Sequence, residues 1–286
     1  MKTSLSLVIL AAGMWSRYGG LKQIDWFGPN EESLLEYSVY DALKAWFNHV
    51  VFVIRKEFSL AFHQKFTDML EVCPKFSIVY QDMPAGREKP WGTLDATLAV
   101  HDVVDGPFAI INADDRYGTQ SYALIAQKLL TMREDQSFLV GYVLWNTLSD
   151  HGTVNRGVCR VWSEGELIDV VEHYKIYTTD EAVYDDSGYK FVWDEMVSMN
   201  FWWFHQSFLA QAKPLLDQFK KDHIWDARAE MVIPTAVDSL LHAGELTCEV
   251  IASPDARQWV TNPEDKPKVQ KGFDEMDSYP ECGLWI

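Results

Sequence analysis

The apolar positions in the first half of this chain fall into short runs separated by amphipathic stretches. Residues 4–10 end in Leu7-Val8-Ile9-Leu10 and predict a strand. Ser33, with Glu36 three residues on, carries the capping-box pattern and predicts a helix over 34–47. Further strands are predicted at 50–54, 76–80, 108–112 and 138–144, with helices at 60–70, 93–100 and 122–132 between them. Near-continuous apolar strands alternating with helices imply a sheet covered on both faces. The predicted class is α/β, with a mostly parallel central sheet flanked by helices.

After Trp145 the pattern loosens. Strand-like runs at 158–162, 167–172 and 198–204 are separated by polar, irregular stretches, which predicts small β excursions in the second half. The acidic, Tyr-containing stretch 180–190 reads as an excursion or lid. Helices are expected at 208–219 and 231–242, a late strand at 248–251, and a charged terminal helix at 263–277. No repeat, low-complexity tract or clear linker interrupts the chain. One domain over 1–286 is expected, with halves 1–145 and 146–286.

The first strand runs into Ala11-Ala12-Gly13, and the following loop carries Arg17, Gly19, Gly20 and Lys22. A strand feeding a Gly-rich basic loop presents backbone N–H groups and cations to phosphates. The spacing is not that of a P-loop, because five residues separate Gly13 from Gly19 and Gly20 replaces the lysine. Nor is it a dinucleotide fingerprint, because Trp15 stands where the second glycine belongs. Ligands in parallel α/β sheets bind beyond the carboxyl ends of strands. Three segments fall there: 11–23, 81–93 and 112–118. The last holds Asp114-Asp115 at the end of an apolar strand, where carboxylates can hold a hard cation or simply shape a turn.

Leu10-Ala11-Ala12-Gly13, Arg17, Gly19, Lys22 and Gln23 together resemble the signature of the sugar-phosphate nucleotidyltransferase family, with Trp15 as a departure from its usual glycine. Gly92-Thr93, Asn112-Ala113-Asp114-Asp115 and Ser198-Met199-Asn200-Phe201 extend the likeness. The resemblance implies a Rossmann-like nucleotidyltransferase fold of the GT-A type. It implies transfer of NMP from an NTP to a phosphorylated small-molecule acceptor, such as a sugar 1-phosphate, with release of pyrophosphate and with Mg2+ as cofactor. Residues 1–145 would then hold the nucleotide, and 146–286 the acceptor. By resemblance Leu10, Ala11, Ala12, Gly13, Gln81, Gly92 and Thr93 bind the nucleotide, and Arg17 and Lys22 act on its phosphates. Asp114 would bind metal, with Asp115 in reserve. A second metal ligand comes from the region 259–266, where Asp265 or Asn262 matches. Gly152, Glu172, Lys175 and Asn200 would contact the acceptor. The family often places a lysine directly after the glutamate; here His173 takes that place and Lys175 lies two residues further on.

Two other readings share the fold. A GT-A-type glycosyltransferase would use the carboxylate pair to bind a nucleotide sugar but would not need the Arg17/Lys22 loop. A non-catalytic nucleotide or nucleotide-sugar sensor would suit Trp15, which narrows the approach to the phosphates.

Composition bounds these expectations. The chain has 286 residues, 48% hydrophobic, with 12 Trp, 12 Tyr and 15 Phe to build a core. A formal charge of −17 argues against nucleic acid or an anionic membrane as partner. Cys73, Cys159, Cys248 and Cys282 are scattered without C-x-x-C spacing, which suggests neither a zinc site nor a disulfide framework and suits cytoplasmic thiols. The N-terminal run imitates a short signal peptide, but cleavage near Ala11-Ala12 would remove the first strand. No apolar stretch reaches the roughly 18 residues of a membrane span.

Overall fold

The apolar runs of the first half pair side by side, in parallel. In the computed structural model β1 (Ser6–Leu10) lies between β2 (His49–Ile54) and β4 (Phe108–Asn112), and β2 pairs outward with β3 (Phe76–Tyr80). The structure describes residues 4–13, 26–129, 132–149, 151–179, 182–253, 255, 270, 279–280 and 283–285.

Beyond β4 the sheet changes direction. β10 (Met196–Phe204) pairs antiparallel with β4, and its other edge carries β5 (Gln136–Val143), which pairs in parallel with β11 (Thr247–Ala252). β4 occupies only Trp202–Phe204 of one β10 edge. The other end of that same edge, Met196–Ser198, pairs with β6 (Val154–Val161). From β6 an antiparallel ribbon continues through β7 (Leu167–Thr178) to the short strands β8 (Val183–Tyr184) and β9 (Lys190–Phe191). The parallel core is therefore as expected, and the β excursions expected in the second half join into an antiparallel ribbon.

Helices cover both faces, and period-two alternation sorts the strand side chains between two cores. Phe201 and Trp203 join one core with Leu7, Ile9 and Phe52; Trp202 and Phe204 join the other with Val8, Leu94 and Phe208. All four β10 aromatics are fully buried, which makes β10 the axis of both layers. The first core is closed by α1 (Leu34–Lys44), α2 (Ser59–Lys65), α3 (Thr67–Val72) and α5 (Thr119–Leu129). The second is closed by α4 (Thr93–Leu98), α6 (Ser207–Asp222) and α7 (Ile233–His242). The capping box at α1 forms as predicted: Glu36 N donates to Ser33 Oγ at 3.3 Å, and Ser33 N to Glu36 Oε2 at 2.8 Å.

Two helices differ from expectation for identifiable reasons. The helix expected over 60–70 is two helices, α2 and α3, parted at Phe66 where the Thr67 hydroxyl takes the His63 carbonyl at 2.8 Å. α5 begins three residues earlier than predicted because its cap is remote. The Asp255 carboxylate accepts from Gln120 N at 3.3 Å and Ser121 N at 2.8 Å. The stretch read as an excursion or lid is, where it is described, an excursion of two short strands held down on β7. Asp185 accepts from Ser187 N and Tyr189 N and meets His173 Nδ1 at 2.7 Å, which fastens β8 and β9 to β7. The expected terminal helix over 263–277 lies outside the described residues, apart from Gln270. No helix among the described residues is long and apolar enough to cross a membrane. Cys73, Cys159 and Cys248 are buried free thiols.

The described part of the C-terminal segment docks on α1. Tyr279 packs edge-on against Tyr37 with centroids 4.6 Å apart, and Trp285 Nε1 donates to Glu36 Oε1 at 3.2 Å. The Tyr279 hydroxyl donates to buried Asp41 at 2.9 Å, and Thr119 Oγ1 donates to the same carboxyl at 3.3 Å. Burial pushes the Asp41 carboxyl up to about 6, against the pull of Arg116 and these hydroxyls. A raised carboxyl pKa favours folding below the unfolded value of 3.8, and that contribution is lost as pH rises through about 6. Asp41→Asn keeps an acceptor oxygen but cannot ionise. Its stability relative to wild type is expected to rise between pH 4.5 and 7.5 by on the order of 2 kcal/mol. Paired denaturant titrations at the two pH values measure this difference.

Candidate functional site

A cleft of about 690 Å³ opens at the carboxyl ends of β1 and β4 and runs to the β6–β7 ribbon. It exists because the sheet forks. Since β4 and β6 share one edge of β10, the pairing breaks between Ser198 and Trp202, and Asn200 sits in the break with φ of 62°. Asparagine tolerates this left-handed conformation better than most residues. The fork leaves two buried backbone groups without ladder partners, the N–H of Asn112 and the carbonyl of Met199. One side chain serves both. The Tyr117 hydroxyl accepts from Asn112 N at 2.9 Å and donates to Met199 O at 2.8 Å. Burial pushes this phenol well above its ordinary pKa, so it remains a donor.

Of the residues expected to bind a nucleotide, Leu10, Ala12, Gly13, Gln81, Gly92 and Thr93 line the cleft. Ala11 does not line it. It is fully buried, and its N–H donates to Val53 O at 2.9 Å as a continuation of the sheet. Gln81 Nε2 donates to Gly92 O and to Asp95 Oδ2, each at 3.0 Å. With its nitrogen so engaged, Gln81 has its carbonyl oxygen to offer a ligand. At Gly92 the Met231 backbone makes a close approach. A Cβ on Gly92 would lie 2.4 Å from Met231 O, and φ there is +100°. Met231 N donates to Trp91 O at 2.8 Å, and Thr93 Oγ1 accepts from Ile233 N at 3.0 Å, so the segment 229–233 is sewn to this wall.

Asp114 and Asp115 line the same cleft. Asn112 Nδ2 donates to Asp115 Oδ2 at 2.9 Å, which fixes that carboxylate at the β4 end. No cluster of three or more His, Cys, Asp or Glu side chains suited to a metal occurs among the described residues. Two adjacent carboxylates are nevertheless a donor set that suits Mg2+, which takes one or two carboxylates and completes its shell with phosphate oxygens and water. The residues present fit that ion. Arg17, Lys22 and Asp265, like Trp15 and Asn262, lie outside the described residues.

On the ribbon side Glu172, Lys175 and Asn200 line the cleft, while Gly152 does not; its successors Thr153, Val154 and Asn155 do. Residues three apart on a regular strand face opposite ways. Glu172 and Lys175 share the cleft because of a β-bulge: Arg156 pairs with His173 and Val154 with Ile176, so two residues of β7 face the single Asn155. Lys175 carries the strain, with φ of 50°, and its N–H donates to Asn155 Oδ1 at 2.9 Å. His173, at the position next to Glu172, bonds Asp185 instead.

Arg156 is the cleft residue that sequence reading missed. It is buried, and it donates to Thr147 Oγ1 at 3.1 Å, Thr147 O at 2.7 Å and Asn155 O at 2.8 Å. Burial pulls its pKa down, and the nearby charges of Asp115 and Glu172 oppose that shift. Burial also pushes the Glu172 carboxyl up to about 7, against the lowering effect of Arg156. Asn155, Lys89 and Glu230 were likewise not identified from the sequence. The fork and the bulge bring Arg156 and Asn155 here, and the hydrogen bonds between 87–89 and 226–229 bring Lys89 and Glu230; none of these leaves a sequence motif.

Comparison with solved structures matches this fold. A Bacillus anthracis structure carrying the name glucose-1-phosphate thymidylyltransferase, in complex with a sucrose, superposes with a TM-score of 0.66 at 13% identity, over 96% of this chain and 97% of that one. The inositol-1-phosphate CTP transferase from T. maritima superposes with a TM-score of 0.61 at 10% identity, over 96% and 98%. The fold is nucleotidyltransferase-like. No family model matches the sequence, and no curated protein matches it. In this nucleotidyltransferase-like fold the forked β10 edge and the parallel β1–β4 pair frame the cleft together.

Tyr117 gives a direct test of the fork. Tyr117→Phe removes the hydroxyl alone and orphans Asn112 N–H and Met199 C=O. A loss of about 2 kcal/mol is expected in urea unfolding. Amide exchange at Asn112 should accelerate more than at Ile110, one strand repeat away.

Proposed function

We propose that this protein is a nucleotidyltransferase that transfers NMP from an NTP to a phosphorylated small-molecule acceptor and releases pyrophosphate. The observation that carries the reading is a single cleft lined by residues expected at three separate functions. Gly13 stands for the phosphate loop, Asp114 and Asp115 for the metal, and Glu172, Lys175 and Asn200 for the acceptor. The nucleotidyltransferases with a similar fold add support.

The chemistry needs positioning and charge neutralisation rather than a protein nucleophile. An oxygen of the acceptor phosphate attacks the α-phosphorus, a new P–O bond forms, and the bond from the α-phosphorus to the bridging oxygen of pyrophosphate breaks. Backbone groups of Ala12 and Gly13 lie against the phosphates. Arg17 offers a planar fork of donors to the leaving pyrophosphate, and Lys22 places a point charge near the α-phosphate. Asp114, with Asp115 beside it, would hold Mg2+. Bound there, that ion neutralises phosphate charge and stabilises the negative charge that builds at the transition state. The Gln81 carbonyl oxygen, near Gly92 and Thr93, accepts from an N–H on the base edge. Glu172 and Asn200 bond the acceptor's hydroxyls, and Lys175 lies toward its phosphate.

The test is a pyrophosphate-release screen of four NTPs against phosphorylated sugars, polyols and choline phosphate with Mg2+. A productive pair should lose about 10²-fold or more in rate in both Lys22→Ala and Asp114→Ala. Retention of the wild-type melting temperature would show the fold intact. Wild-type turnover in either variant overturns the assignment.

Glu172 adds a pH dependence. Because its carboxyl sits at about 7, acceptor KM should change across pH 6–8 with an apparent pKa near that value. Glu172→Gln should flatten the profile. The sign for stability is the same as for any raised carboxyl: the contribution is present below the unfolded value of 4.5 and is lost as pH rises through about 7. The variant should therefore melt higher than wild type at pH 8 and show little difference at pH 4.5.

A further inference from the structure

The segment 84–91 is held against 226–231 by an unusually dense set of contacts. Arg87 stacks its guanidinium 3.3 Å from the centroid of Trp91 and donates through Nε to Lys89 O at 2.9 Å and through Nη1 to Asp226 O at 2.9 Å. Its Nη2 reaches Ala229 O, so one planar fork ties three carbonyls. Glu88 N and Lys89 N both donate to Ala227 O, at 3.0 and 3.3 Å. The clasp sets two charged side chains on the cleft wall, Lys89 and Glu230, and these two form an ion pair.

That pair faces the acceptor end. Glu230 lies just before α7, whose Pro234 meets β6 beside the Glu172 carboxylate: a Cβ on Gly157 would stand 3.3 Å from both Glu172 Oε2 and Pro234 Cγ. Lys89, Glu230, Glu172 and Lys175 all line the cleft. Glu230 on the clasp and Glu172 on the ribbon thus bracket one space. Lys89 and Glu230 are 46% and 34% exposed along their side chains, so the ammonium is accessible to an anion without breaking a buried pair.

We propose that Lys89 is a phosphate-binding residue for the acceptor and that Glu230 holds it in reserve, so that the acceptor's phosphate monoester displaces Glu230 from the Lys89 ammonium. This rests on the reading of the cleft as an acceptor-phosphate site. The clasp fixes the backbone of both residues, so the exchange is a side-chain rotation and not a loop movement. Glu230 also masks a free ammonium while the site is empty and returns to it when product leaves.

Two substitutions should act in opposite directions. Inorganic phosphate is the probe, its affinity measured by isothermal titration on the full chain, with CTP and dTTP titrated separately. Lys89→Met should weaken phosphate binding about tenfold, the equivalent of one lost charge-assisted hydrogen bond. Glu230→Gln should tighten it several-fold, because the competitor for Lys89 is gone. Triphosphate affinity should stay within twofold in both variants. If both variants lower the melting temperature while neither moves phosphate affinity, the pair is structural and the proposal fails. An effect confined to CTP or dTTP also overturns it, because Lys89 would then belong to the nucleotide. A wild-type protein that binds neither phosphate nor any triphosphate would instead overturn the functional reading beneath it.

Discussion

The structure depends on one geometric constraint: β10 has a single edge for two partners. β4 takes Trp202–Phe204 and β6 takes Met196–Ser198, so the sheet must open between them. The opening is not a defect in packing, because the four aromatics at its Phe201–Phe204 end remain fully buried. It is a polar problem, since a buried N–H and a buried carbonyl lose their partners where the strands part. The Tyr117 hydroxyl answers it by accepting from one and donating to the other. A phenol can do both and has the reach to do so from the loop after β4. The same loop carries Asp114 and Asp115, so the group that stabilises the fork also fixes where these carboxylates stand.

The β7 bulge repeats this logic on the other wall. An extra residue interrupts the two-residue alternation, so Glu172 and Lys175 face the same space. Lys175 adopts a left-handed conformation, and Asn155 compensates by accepting its N–H. Arg156, buried beneath, brings a positive charge near both Asp115 and Glu172. The carboxylate of the parallel half and that of the ribbon are therefore electrostatically linked through one guanidinium. Two local departures from regular β structure, each with its own hydrogen-bond compensation, convert a sheet edge into a cleft.

Remote contacts hold this arrangement in place. Asp255 caps α5 from 135 residues away, measured from Gln120, and Tyr279 docks on Asp41 of α1. Arg87 binds the chain near Trp91 to the segment before α7. Gly92 belongs to the same set. Its missing side chain makes room for the Met231 backbone, which closes the 226–231 segment onto the cleft wall.

The sequence by itself determined the parallel half of the fold. The apolar runs at 76–80 and 108–112 are strands with those same bounds, and Ser33 and Glu36 form their capping box, because burial pattern and local capping act within a few residues. It also picked out Gly13, Gln81, Asp114, Asp115, Glu172, Lys175 and Asn200, which the cleft brings together. Local pattern could not reveal the remote cap that starts α5, the β7 bulge, the fork at Asn200, or the places of Arg156, Lys89 and Glu230. Each of those depends on a partner far along the chain, and such a partner leaves no mark on the spacing of its own neighbours. Tertiary structure alone decided which strand shares an edge with which, because edge sharing is a competition for hydrogen bonds that exists only once the sheet is assembled.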